Sequence, residues 1–256
     1  MRNIWFAIAA ALAMTAPLAR AADLPLKAAT PFVERFSWTG CYLGGHLGGG
    51  FAHKNITDPV QLVQDSFLGL GSTPDVTTVN PSPTGVVIGG QIGCDYQFAP
   101  SWVIGIEGAA SGSTMRGSTT VGLPLGNPDT ALVRAKTDFL TSVTARVGFA
   151  FDNVLLYAKG GAALAGDRYD VTGSFAGAPF AFTGLENRVG WTAGGGVDWA
   201  FSPHWSASLE YDYYGFGHAT VAMSDPINGF VGPVDVRQSI QVVKAGLNFH
   251  IWGPGW

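Results

Sequence analysis

The chain has 256 residues, of which 47% are hydrophobic and only 12% charged, and it carries 36 glycines. That charged share is about half the usual one and the glycines have no collagen period, so an ordinary soluble domain and a collagen-like fibre are both disfavoured. The formal charge is -4 with no polybasic run, which argues against nucleic acid as a partner.

Residues 1–21, MRNIWFAIAAALAMTAPLARA, combine Arg2, an apolar run from Ile4 to about Ala13, and Ala19-Arg20-Ala21. A charged start, an apolar middle and a small-x-small end describe a secretory signal peptide cut between Ala21 and Ala22. The apolar run is roughly half the ~20 residues that a spanning helix needs. Losing Arg2 and Arg20 takes the formal charge from -4 to -6. No later stretch is continuously apolar for long enough to form a membrane helix. Residues 22–36 contain Pro and have no period, so they read as a periplasmic lead-in.

Residues 37–252 read as a barrel of strands joined by turns and loops, because in the strands apolar side chains recur at every second position. The first strand, about 38–51, puts Cys41, Leu43, Leu47 and Phe51 on one face. The second, about 86–98, puts Val86, Ile88, Ile92, Cys94, Tyr96 and Phe98 on one face, with Gln91, Asp95 and Gln97 on the other. After the turn at 99–101, Trp102, Ile104 and Ile106 face opposite to Glu107. A fourth strand, about 137–151, separates Phe139, Val143, Val147, Phe149 and Phe151 from Ser142, Thr144 and Arg146. Asp152-Asn153 turns into a fifth, about 154–164, with Leu156 and Leu164 opposed to Tyr157 and Lys159.

The stretch 188–217 is the clearest hairpin. Trp191, Val197, Trp199 and Phe201 face away from Asp198. Beyond Ser202-Pro203-His204, Trp205, Leu209, Tyr211 and Tyr213 face away from Glu210 and Asp212. An eighth strand, about 236–251, separates Val243, Leu247, Phe249 and Ile251 from Lys244, Asn248 and His250.

The expected fold is therefore all-β: an eight-stranded antiparallel transmembrane up-and-down β-barrel. Short periplasmic turns alternate with four long extracellular loops at 53–84, 111–136, 165–186 and 218–235. Closure is required, since an open sheet edge cannot exist in hydrocarbon. The pattern F-x-P-x-W occurs twice, at 98–102 and 201–205. With Trp38 and Phe151, the residues Phe98, Trp102, Phe201 and Trp205 are expected to form an aromatic girdle at the periplasmic interface.

Several stretches carry a resemblance: Trp38 to Gly45, Gly89 to Phe98, Trp102 to Gly108, Val189 to Gly217, and the closing Val243 to Phe249. Together they resemble the small opacity-type (Omp25/Omp31-like) porin-family outer-membrane barrels of alphaproteobacteria, over essentially the whole mature chain. The resemblance implies an abundant, surface-exposed outer-membrane barrel that contributes to envelope integrity. Some members of that family are described as porin-like, haem-binding or adhesive. Two features depart from the family: Cys41 and Cys94 stand where Phe or Tyr is frequent, and the chain runs past the last strand through 253–256 as Gly-Pro-Gly-Trp.

By parity, Asp95, Glu107, Arg146, Lys159, Asp198, Glu210, Asp212 and Lys244 all face the interior. Eight strands leave room for side chains only, and a buried charge must pair, so these residues read as a network that plugs the lumen. A selectivity filter would call for a ring of like charge in an open lumen. His46, His53, His204, His218 and His250 are scattered and no G-x-S-x-G elbow occurs, so catalysis is not expected, and His204 and His250 read as solvated. Gly44-Gly45 and Gly194-Gly195-Gly196 open no helix and are not phosphate cradles.

The spacing of Cys41 and Cys94 excludes a zinc knuckle, and no metal or cofactor is expected. Both lie on the outer face near the turn end, where antiparallel neighbours bring them to similar height. A disulfide and two free thiols acting as small apolar groups are both open. The expected partners are outer-membrane lipid and lipopolysaccharide and the outer-membrane assembly machinery; a surface ligand, if there is one, would be held by the loops, and the sequence does not identify it. The leading expectation is a structural barrel. A low-conductance porin and a loop-based receptor or adhesin, for example for haem, are the alternatives.

Overall fold

A computed structural model of the protein describes residues 36–57, 59, 62–63, 78–123 and 130–251. The signal peptide, the lead-in up to residue 35 and the 253–256 extension lie outside the described residues, as do 64–77 in the first expected loop and 124–129 in the second.

Among the described residues ten antiparallel strands form: β1 (Gly40–Thr57), β2 (Thr78–Val79), β3 (Thr84–Gln97), β4 (Trp102–Ser113), β5 (Arg116–Gly122), β6 (Thr130–Phe151), β7 (Val154–Phe175), β8 (Ala178–Ser202), β9 (Trp205–Asp225) and β10 (Phe230–His250). Eight of them close a ring in the order β1-β10-β9-β8-β7-β6-β4-β3, with β3 returning to β1. β5 extends the line of β4 along β6, and β2 adds two pairs to β1.

The ring can be measured from its register. Directly opposed residues lead from Trp102 through Phe149, Leu156, Val197, Leu209, Ala245, Leu47 and Ile88, and return to β4 at Gly112, ten residues beyond the start. Eight strands with a stagger of ten tilt by about 40° and enclose a backbone radius of about 8 Å. A ring of that size is just wide enough for inward-pointing side chains to occupy.

The strands are far longer than their alternating stretches in the sequence implied. β6 to β10 each run 21 to 25 residues. Ten residues tilted at this angle already rise about 25 Å, the height of a lipid-facing band. Over that first stretch, counted from the short turns, the outer face is apolar. It ends at Phe51, Val86, Ala110, Phe139, Leu164, Val189, Tyr213 and Val243. Beyond it the outer face turns polar, with His53, Asn55, Arg134, Arg168, Thr183, His218 and Arg237 exposed. Leu185, Ile227 and Val231 are apolar exceptions.

Three expected loops are thereby corrected. Residues 165–186 are almost wholly strand around an Ala176-Gly177 turn, both residues having positive φ. Residues 218–235 are the ends of β9 and β10, and 111–136 contain β5 and the start of β6. The physical reason is an inversion of polarity. In the first half of each long strand, apolar side chains face out; in the second half they face in, as in a soluble barrel. β9 and β6 also carry bulges, at Phe216 and Asp138, which switch the parity of the inward face at that boundary. A strand whose period-2 signal changes phase looks like a loop.

Candidate functional site

The interior is stacked in five layers along the barrel axis. At the turn end, Trp38, Val103, Ala150, Leu155, Tyr157 and Ala200 make an apolar floor. Phe36 meets Trp38 edge-on, with ring centroids 4.9 Å apart. Trp38 is 1% exposed, and its indole N–H donates to the Asp152 carbonyl over 3.4 Å. It therefore does not belong to the aromatic girdle: it precedes the β1 ladder, so strand parity does not govern it, and it tucks under the barrel instead. Phe98, Trp102, Phe151, Phe201 and Trp205 do stand exposed on the outer face beside the short turns.

Above the floor lies a charged layer. All eight charged residues assigned to the interior by parity are buried in it. Arg146 stands at its centre. One guanidinium nitrogen donates to the Tyr42 hydroxyl at 2.6 Å and lies 3.3 Å from Glu107 Oε2. The other donates to Asp198 Oδ2 at 2.8 Å, and Nε is 3.4 Å from Asp95 Oδ1. The Tyr157 ring lies beneath it, 3.9 Å from the guanidinium carbon to the centroid.

The Tyr42 hydroxyl in turn donates a hydrogen bond to Glu107 Oε2 at 2.7 Å. The Lys159 ammonium joins Glu107 Oε1 at 2.9 Å, Glu210, and Asp212 at 3.4 Å. Lys244 bridges Glu210 at 3.3 Å and Asp212 at 3.1 Å. Every acid thus faces at least one base, which is what burial at this depth demands.

A glycine makes room for this arrangement. Tyr42 is opposed to Gly93 across β1 and β3, and a Cβ at Gly93 would overlap the phenol ring. Phe139 over Gly166 and Trp191 over Gly215 repeat the device. Much of the high glycine content serves this close packing across strands.

Two histidines line the same region. His46 Nδ1 is 2.9 Å from Gln91 Oε1, and its Nε2 is 2.7 Å from Ser111 Oγ. His250 Nε2 is 3.0 Å from Ser206 Oγ. The expectation that His250 is solvated is corrected: it is buried, because its side chain points to the interior at the end of β10, next to Phe36 and Trp38. His204 is exposed in its turn.

The third layer is apolar and includes Ala52, Val87, Met115, Leu140, Tyr214, Phe216, Ile240 and Val242. A second charged layer follows, which parity reading missed because Lys54, Asp167 and Glu186 fell in expected loops and Arg188, at the first residue of the expected hairpin, was assigned to neither face. Lys54 Nζ donates to Asp167 Oδ1 at 2.6 Å, with both side chains fully buried. Thr137 Oγ1 donates to the same oxygen at 2.6 Å, and Arg188 Nε is 3.9 Å from the other. Arg188 also pairs with Glu186 at 3.2 Å. Last comes a large apolar lid, from Ile56 and Val79 through Tyr169, Val171, Phe180 and Phe182 to Val221, Met223, Val234 and Val236.

Cys41 and Cys94 are opposed on the outer face of β1 and β3 and are joined by a disulfide, with Cα atoms 4.0 Å apart.

Residues 6–249 match the family model described as an outer membrane protein beta-barrel domain. The chain is 30% identical over 253 residues to the 31 kDa outer-membrane immunogenic protein of Brucella melitensis, covering 94% of this chain and 97% of that one, and equally so to its Brucella suis counterpart. Among solved structures, OprG of Pseudomonas aeruginosa aligns at 14% identity and TM-score 0.45, over 83% of this chain and 97% of that one. The protease OmpT of Escherichia coli aligns at 10% identity and TM-score 0.44, over 84% and 98%. On the strength of the family model and the Brucella relatives, the chain belongs to the outer-membrane protein β-barrel family, of the Omp31-like type, and is a protein of the outer membrane.

Proposed function

We propose that this is a structural, surface-exposed barrel that contributes to envelope integrity, neither conducts solutes nor catalyses a reaction, and has an interior plugged by its own side chains. The observation that carries this reading is the five-layer interior. An ion on the axis would have to leave water, pass an apolar floor, a mixed-sign charged layer, an apolar layer, a second charged layer and an apolar lid. Each apolar layer sets a Born cost of several kcal/mol against passage.

The short turns with their aromatic girdle are read as periplasmic and the long polar-faced wall as extracellular, in keeping with the usual asymmetry of such barrels. The partners in this reading are outer-membrane lipid, lipopolysaccharide and the assembly machinery. Both Ser–His contacts lie inside the barrel, where His46 is held by Gln91 and Ser111 and His250 by Ser206, which supports a non-enzymatic role. The test is planar-bilayer recording on the purified, folded protein. A current at the level of the protein-free bilayer is expected; discrete, stable conductance steps would overturn the plug and favour a small porin.

A further inference from the structure

Just above the apolar band, three basic side chains stand in one row across three strands. Arg116 of β5 is directly opposed to Lys136 of β6, and Lys136 to Arg168 of β7. All three point outward: Arg116 and Arg168 are exposed and Lys136 is about one-third exposed. Directly opposed side chains on one face have Cβ atoms about 5 Å apart, and like charges at that spacing destabilise a sheet. Arg134 stands two residues above Lys136, on the same face.

The acids nearby are Asp138, which pairs with Lys136, and Asp170, which is opposed to Arg134. Four cations against two acids leave the patch positive. Among the described residues, neither Arg116 nor Arg168 forms an ion pair. Immediately below the row the surface is hydrocarbon-facing, with Phe139, Val143 and Leu164 exposed. Above it the wall is polar.

A repulsive row is retained most simply where an anion covers it, and its height decides which anion. A group held here would keep its acyl chains on Phe139, Val143 and Leu164 and its headgroup on the cations. Guanidinium forks suit phosphate oxygens, and a row of three cations suits more than one phosphate. We infer that Arg116, Lys136 and Arg168 form a binding site for the phosphorylated headgroup of an outer-leaflet glycolipid. This rests on the reading of the wall as extracellular.

Thermal unfolding of the full chain in a neutral detergent tests it, with added lipid A, dephosphorylated lipid A, or inorganic phosphate at matched phosphate concentration. Lipid A is expected to raise the midpoint of the wild type, and the other two to leave it unchanged. The R116Q/K136Q/R168Q variant should match or exceed the wild-type midpoint without lipid, since the repulsion is gone, and should bind lipid A about tenfold more weakly or worse. A variant that loses stability without lipid, or that keeps the lipid A shift, overturns the site. An equal shift with inorganic phosphate overturns the lipid headgroup as its ligand. Binding in detergent does not depend on orientation, so its failure is separable from a failure of the extracellular assignment, which a surface-accessible tag in the Ala176-Gly177 turn would expose on intact cells.

Discussion

At the scale of single residues, Glu107 shows how the charged layer is built. Its carboxylate takes Lys159 on one oxygen and Tyr42 and Arg146 on the other. Removing one partner of a buried ion pair leaves an uncompensated charge and costs about 3–5 kcal/mol. Glu107→Ala should therefore lower the unfolding midpoint markedly while conductance stays at background, because in the proposed plug the apolar floor and middle layer would still close the axis. A rise in conductance on the folded variant would mean that this layer alone holds the lumen shut. The eight members of the network were legible from the sequence because each lies in a strand whose outer face is cleanly apolar, so parity alone sent them inward. Their pairing was not legible. Nothing in the spacing of Arg146 and Asp198 shows that they meet; that follows from the strand tilt and from Gly93, which lets Tyr42 lie flat across the sheet toward Arg146.

At the scale of elements, each long strand is two different objects joined end to end. The part nearest the turns is apolar outside and polar inside; the rest is the reverse. The first part was readable because six to ten residues of one phase suffice to recognise a strand. The second was not, since Asp167, Arg168, Asp170 and several glycines mask the inward series Tyr169, Val171 and Phe175, and the bulges at Asp138 and Phe216 shift the phase on two strands. Lys54 and Asp167 sit at this boundary. Lys54→Met should cost about 3–5 kcal/mol of unfolding free energy, as Asp167 keeps only the more distant Arg188 as a counter-charge. The double variant Lys54→Met/Asp167→Leu should recover most of that loss in a double-mutant cycle, and additive losses would show that the pair is not coupled.

At the scale of the molecule, the register fixes a tilted ring whose outer surface divides into a lipid-facing band and a water-facing wall. The division predicts a contrast between two substitutions on one strand. Leu209 is exposed in the middle of the band and Ala222 is exposed on the wall. Leu209→Arg should destabilise the protein in bilayers by about 2–4 kcal/mol, whereas Ala222→Arg should have almost no effect. Equal effects in a urea titration in vesicles would misplace the band. Closure, the antiparallel order and the exposure of Phe98, Trp102, Phe151, Phe201 and Trp205 beside the short turns were foreseeable, because they follow from composition and turn chemistry; the burial of Trp38 was not. The height of the wall was not, since it depends on polarity reversing part-way along each strand.

The paired β7–β8 arms have a consequence for anything that meets the far end of the protein. Residues 165–186 are two hydrogen-bonded strands resting on a packed lid, and their outward side chains recur at every second position along a firm surface. A partner or an antibody there would read shape: side chains adjacent in space but drawn from two strands. A linear peptide copied from the same stretch would carry every residue and almost none of that surface, so antisera raised against such peptides should recognise the heat-denatured protein far better than the folded one.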